Sequence, residues 1–90
     1  MTPVPPGSLK CVVLPAAAEL AGAMRVLAER VGEEQVIAFG GSAALVHTDE
    51  PAAVIRDWLG DIGGALVLEF EKWSGAGDAV PRDWLLARGH

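Results

Sequence analysis

Apolar runs and helical stripes alternate along this chain and predict the element order β-α-β-β-α-β. A short β-branched run at residues 9–14 is ended by Pro15, which predicts a first strand. Over residues 16–31, large apolar side chains recur at helical spacing on one stripe. Gly32 follows that stripe as a stop signal, so the pattern predicts a helix that ends there.

A Gly-Gly pair at residues 40–41 predicts a hairpin. The flanking segments 34–39 and 43–47 are both extended candidates. Paired glycines favour two-residue hairpin loops because they supply the positive φ angles that such loops need. With that loop, Phe39 faces Ser42, and the second and third strands are antiparallel.

A second helix and a fourth strand follow. Pro51 suits the first turn of a helix that continues to residue 59. Residues 65–71 then alternate, with Leu66, Leu68 and Phe70 on one face, and predict the last strand. A later apolar cluster at residues 84–86 fits either a short helix or an extra strand.

This order predicts an α+β, ferredoxin-like βαββαβ fold. Right-handed crossovers place both helices on one face of a four-stranded antiparallel sheet, with strand order 4-1-3-2. The predicted organisation is a flexible leader at 1–8, a ferredoxin-like domain at 9–72 and a C-terminal tail at 73–90. The tail is expected to pack on its own sheet or on that of a partner.

Composition narrows the class of protein. A hydrophobic share of 51% is too high for a disordered chain, and no apolar run is long enough to cross a bilayer. The net charge of −5 argues against nucleic acid or an anionic membrane as the partner. With no secretion signal visible, we expect a cytoplasmic protein. The single Cys11 excludes an intrachain disulfide and a cysteine-based metal site.

The predicted hairpin is apolar on both sides, whereas two helices cover only one of them. If three or four apolar side chains stay exposed to water, the fold loses roughly 5–10 kcal/mol of hydrophobic stabilisation. This loss is comparable to the net stability of a small domain. The candidate covers are a second copy, the chain's own tail or another protein, and we predict a homodimer. The predicted interface residues are Ile37, Phe39, Ala44, Val46, Trp73, Trp84, Leu85 and Leu86.

The chain carries no recognised catalytic signature, and we predict no catalytic residue, metal or cofactor. Cys11 lies in an apolar run and is expected to be a buried, inert thiol. His47 and Glu34 with the carboxylates of strand 65–71 (Glu69 and Glu71) would bind a divalent metal only if they converged. Half of the twelve acidic residues fall within 32–64, which favours solubility or, alternatively, an acidic patch for a basic partner.

Residues 45–70, from Leu45-Val46-His47 to Leu68-Glu69-Phe70, resemble the third strand, second helix and fourth strand of Cas2-like proteins of the CRISPR-associated family. The resemblance implies a ferredoxin-like fold and a homodimer formed through the sheet. It does not imply nuclease activity, because residues 12–15 lack the carboxylate expected near the end of the first strand. Our leading interpretation is a non-enzymatic interaction or regulatory module. The alternatives are a Cas2-like nucleic-acid-binding or nuclease protein, and a small-ligand sensor.

Overall fold

The computed structural model describes residues 7–60, 62, 64–75 and 80–90. Within this part the sheet has four strands, packed with three α-helices and two short 3₁₀ helices. In chain order they are β1 (Ser8–Val13), a 3₁₀ turn (Ala17–Glu19), α1 (Leu20–Val31), a 3₁₀ turn (Glu33–Gln35), β2 (Val36–Phe39), β3 (Ala43–Thr48), α2 (Ala52–Trp58), β4 (Leu66–Phe70) and α3 (Arg82–Ala87). The predicted α+β class with a four-stranded antiparallel sheet is therefore confirmed.

Most of the predicted leader, residues 1–6, lies outside the described residues. Ser8, predicted as part of the leader, is instead the first residue of β1. It pairs with Thr48 at the end of β3, so the ladder begins one residue earlier than the apolar run suggested.

Local chemistry sets the helix boundaries. Gly32 adopts a φ of 95°, which residues with a Cβ rarely adopt, and its N–H donates to the carbonyl of Ala28. This arrangement ends α1 where the sequence predicted. Pro51 precedes α2 in an extended conformation, and its carbonyl accepts the N–H of Val54. α2 therefore begins at Ala52, immediately after the proline.

The order across the sheet is β2-β3-β1-β4, which is the predicted order read from the other edge. β1 and β3 are therefore central, and β2 and β4 are edge strands. Each neighbouring pair is antiparallel. Among the described helices, none is long and apolar enough to cross a membrane.

The predicted register of the hairpin is wrong by one residue. Phe39 pairs with Ala43 and not with Ser42, so the turn contains three residues, 40–42. Gly40 takes a φ of 69° in that turn. Because side chains alternate between faces, this shift exchanges the faces assigned to the side chains of β3.

The two faces of the sheet are covered differently. Residues from α1 and α2 pack on one face, which we call the helix face, and form the larger buried cluster: Val12, Leu14, Ala23, Leu27, Val36, Ala44, Val46, Ile55 and Leu59. On the opposite face, Leu85 of α3 packs with Leu9 and Leu45 in a smaller cluster. We call this the α3 face. α3, together with Trp73, thus contributes a third apolar layer within the same chain.

Candidate interaction surface

The α3 face carries a row of apolar side chains that remain exposed. Across the sheet these side chains are successive register partners, one from each strand: Phe39, Ala43, Val13 and Leu66. Phe39 is 37% exposed, Val13 36% and Leu66 54%. Leu68, the next residue of β4 on this face, is 46% exposed. We call these five residues the apolar row.

The remainder of the α3 face lies under α3. Leu85 is only 2% exposed and packs against Leu9 and Leu45. Trp73 and Trp84 are half-buried around this cluster. The helix therefore shields the part of the face next to the middle of the sheet and leaves the apolar row open at one end.

Polar contacts fix α3 to the segment that leads into β2. The indole Nε1 of Trp84 donates to the carbonyl of Glu34 at 3.0 Å, and Arg88 donates to the same carbonyl. Nε of Arg88 also donates to Oε1 of Gln35 at 3.1 Å. The Arg88 guanidinium stacks 4.3 Å from the centre of the Trp84 ring, an arrangement that adds cation–π attraction.

A pair of histidines joins β3 to His90, which lies three residues beyond the end of α3. Nδ1 of His47 lies 2.8 Å from Nε2 of His90, and His47 is only 2% exposed. The N–H of His90 donates to the carbonyl of Leu85, and its own carbonyl accepts Nε1 of Trp73. Burial lowers the pKa of His90, and nearby His47 and Arg88 lower it further.

An apolar cleft of about 450 Å³ lies between the sheet and residues 73–75 and 80–85. Its lining is mainly aliphatic and aromatic, and includes Leu45, Leu68, Phe70 and Trp73. Cys11 also lines the cleft, and burial raises the pKa of its thiol. A raised pKa disfavours the thiolate, so the site does not activate Cys11 as a nucleophile.

The helix face contains a buried cation that the sequence analysis did not single out. Lys10 is 2% exposed, and its Nζ donates to Oγ of Ser8 at 2.6 Å and to the carbonyl of Thr48 at 2.5 Å. Burial lowers the pKa of Lys10, while Glu69 and Asp49 act in the opposite direction. The available signal was its position two residues before Val12, on the same face of β1.

The structure distributes the eight predicted interface residues over three environments. Four lie where α3 meets the sheet: Ile37, Trp73, Trp84 and Leu85. Two are exposed: Phe39, in the apolar row, and Leu86, on α3. Two are fully buried on the helix face: Ala44 and Val46. Ala44 and Val46 thus lie on the opposite face of the sheet from Phe39, whereas the predicted register had placed all three on one face.

The other members of the apolar row were not assigned to an interface from the sequence. Alternation along β4 did place Leu66 and Leu68 on one face. The predicted interface residues, however, lie only in the hairpin and the tail. The pairing of Val13 with both Ala43 and Leu66 brings the row together, and that pairing links segments far apart in the chain.

The carboxylates considered for a metal site do not converge on His47. His47 alternates onto the α3 face, as its register partner Leu9 does. Oε1 of Glu69 instead accepts the N–H of Ala52 at 2.7 Å, at the start of α2 on the helix face. Among the described residues, no group of three or more histidine, cysteine, aspartate or glutamate side chains is placed to hold a metal ion.

No family model matches this chain, and neither a curated protein nor a solved structure matches it. The resemblance of residues 45–70 to Cas2-like proteins therefore stays a prediction. These comparisons leave the apolar row and the α3 contact as the basis for inferring function.

Proposed function

We propose that this chain is a small, non-enzymatic interaction module with a ferredoxin-like arrangement, which works as a homodimer through its apolar row. The observation that carries this proposal is the row itself, in which Phe39, Val13 and Leu66 are exposed and Ala43 connects the first two. Contiguous exposed apolar side chains on a small protein are typical of an interaction site.

A second copy of the chain is the partner that this surface suits best. The row contains no charged side chain, so it is complementary to another apolar surface of similar size. A two-fold dimer applies the same patch twice, and one row supplies both halves of such an interface. The edge strand β4 adds Leu68, which is 46% exposed although it also lines the cleft beside α3.

Sedimentation velocity of the full chain tests this proposal. We expect Leu66→Glu to weaken dimerisation by about tenfold or more, because the interface would bury a carboxylate without a partner. Leu86→Glu is the matched control, since Leu86 is 59% exposed and lies on α3 outside the row. A wild-type chain that stays monomeric at high concentration would overturn the proposal. So would a dimer that Leu86→Glu disrupts and Leu66→Glu does not.

A small-ligand sensor is the second candidate, and the cleft beside α3 favours it. A volume of about 450 Å³ with a mainly apolar lining falls in the range of small-molecule sites. In this alternative, a neutral apolar ligand between the sheet and α3 would stabilise the packing of α3 on the sheet. Its discriminating feature is a dependence on ligand, which a homodimer formed through the apolar row does not need.

A further inference from the structure

Among the described residues of the contact between α3 and the sheet, the imidazole of His90 is the group whose charge changes near neutral pH. The other polar contacts in this region use the indoles of Trp73 and Trp84 and the guanidinium of Arg88, which keep their protonation state between pH 5 and 8. His90 is different, because its ring, 2.8 Å from that of His47, belongs to a residue type that changes charge in this range.

The geometry of the pair limits how many protons it can hold. A hydrogen bond between two ring nitrogens 2.8 Å apart needs one N–H and one lone pair. A single protonated ring can still donate to a neutral one. When both rings are protonated, both nitrogens are donors, the bond is lost and two positive charges face each other.

The surrounding charges favour the neutral state of His90. Burial is the main cause that lowers the pKa of His90, and His47 and the positive charge of Arg88, the residue directly after α3, lower it further. Around His47, the cavity next to the end of β3 is lined by Arg30 of α1 together with Asp49 and Glu50. Those two carboxylates line the same cavity as Arg30, whereas the positive charge of Arg88 acts on His90, so protonation of His90 adds a second positive charge near Arg88.

The sign of the pH effect follows from the pKa of His90. Docked against the sheet, His90 has a pKa below its ordinary value of about 6.5, whereas a released α3 restores that value. The docked form therefore binds fewer protons than the released form. Docking is fully favourable above about pH 6.5 and weakens as the pH falls below it.

We propose that acid releases α3 from the sheet through the His47–His90 pair and uncovers the apolar surface formed by Leu9 and Leu45. This inference goes beyond the proposed function and does not depend on dimerisation. α3 is six residues long and is not part of the sheet, so its release breaks no strand pair. The buried cluster of the helix face, which holds the rest of the fold together, is not part of this contact.

Cys11 provides the reporter for this release. It is the only cysteine of the chain and lies on the α3 face, packed against the cluster that Leu85 closes. We would label it with 4,4′-dithiodipyridine in the full chain from pH 7.5 to 4.5. Each rate is divided by that of the urea-unfolded chain at the same pH, which removes the pH dependence of the thiol reaction itself.

We expect the protection of Cys11 to fall below pH 6.5 by up to about tenfold per pH unit for each proton taken up on release. His90→Gln keeps a hydrogen-bonding side chain without a titrating ring, and this variant should lose the acid step. Far-UV circular dichroism at each pH should retain the signal of the sheet, α1 and α2.

Three results would overturn the proposal. The first is constant protection of Cys11 across the pH range in the wild-type chain. The second is an unchanged acid step in His90→Gln. The third is loss of protection only together with the whole circular dichroism signal, which would show global unfolding. None of these results bears on the effect of Leu66→Glu at pH 7.5, so this proposal and the homodimer can fail separately.

Discussion

At the scale of single residues, Lys10 shows how an apolar strand accommodates a cation. Its neighbours Leu9 and Cys11 point to the α3 face, and Lys10 therefore points into the helix face. Nζ donates to Ser8 and to the carbonyl of Thr48, so two of its three donors are satisfied inside the protein. A buried charge persists only when such partners replace water.

Charge reversal at this position tests its structural role. Lys10→Glu would bury a carboxylate beside Glu69 and remove the donor to Thr48, so we expect a loss of about 3–5 kcal/mol in the free energy of unfolding. Lys72→Glu makes the same change in net charge at an exposed lysine and should shift stability by about 0.5 kcal/mol or less. Urea denaturation at pH 7 measures both. Equal effects of the two variants would show that burial of Lys10 is unimportant.

At the scale of elements, α3 is too short to be stable alone. Six residues make fewer than two turns, and isolated helices of this length are not populated in water. The helix persists because Leu85 inserts into the α3 face while Trp84 and Arg88 bind the segment before β2. The stability of α3 therefore depends on its contact with the sheet.

Two adjacent leucines of α3 distinguish the effect of losing the contact with the sheet from the effect of losing any leucine side chain. Leu85→Ala removes a side chain that is 2% exposed, and we expect it to lower the free energy of unfolding by about 2–5 kcal/mol. Leu86→Ala makes the same chemical change at a side chain that is 59% exposed, and should cost about 0.5 kcal/mol or less. Chemical denaturation measures the difference. Similar losses in both variants would mean that α3 does not cover the sheet in solution.

The same scale shows what the sequence could predict. Strand order follows from two helical crossovers and one hairpin, which are local features of the chain. Hairpin register does not, because Gly40-Gly41 fits a loop of two or of three residues, and Ser42 joined the turn. The packing of Val46 with residues of α1 and α2 on the helix face selects the register. This contact cannot be read from the local spacing of apolar residues in the hairpin.

The residues of the candidate site were predictable from the sequence to about the same extent as the fold. Phe39 was recognised because it lies in the hairpin, whereas Val13 joins the apolar row only through pairing with distant segments. The contact between His47 and His90 spans 43 positions along the chain, and no motif marks it. Such contacts arise when the packed elements bring distant residues together, and the local pattern of a single sequence does not show which residues will meet.

At the scale of the whole molecule, charge opposes the association that the apolar row favours. Each chain carries a net charge of −5, so two copies repel one another as they approach. The molecule measures 39 × 28 × 20 Å, and the charges of two docked copies therefore lie within a few tens of ångströms. This repulsion acts over about 30 Å at 10 mM salt but only about 8 Å at 150 mM.

Salt should therefore strengthen dimerisation. We expect the Kd of the dimer to fall several-fold between 10 and 150 mM NaCl, because screening removes repulsion while the uncharged contacts of Phe39, Val13 and Leu66 are unaffected. Sedimentation velocity over a concentration series at each salt measures this change. Leu66→Glu should form fewer dimers at both salt concentrations. A dimer that weakens as salt rises would instead place opposite charges at the interface and would remove the apolar row as its main contact.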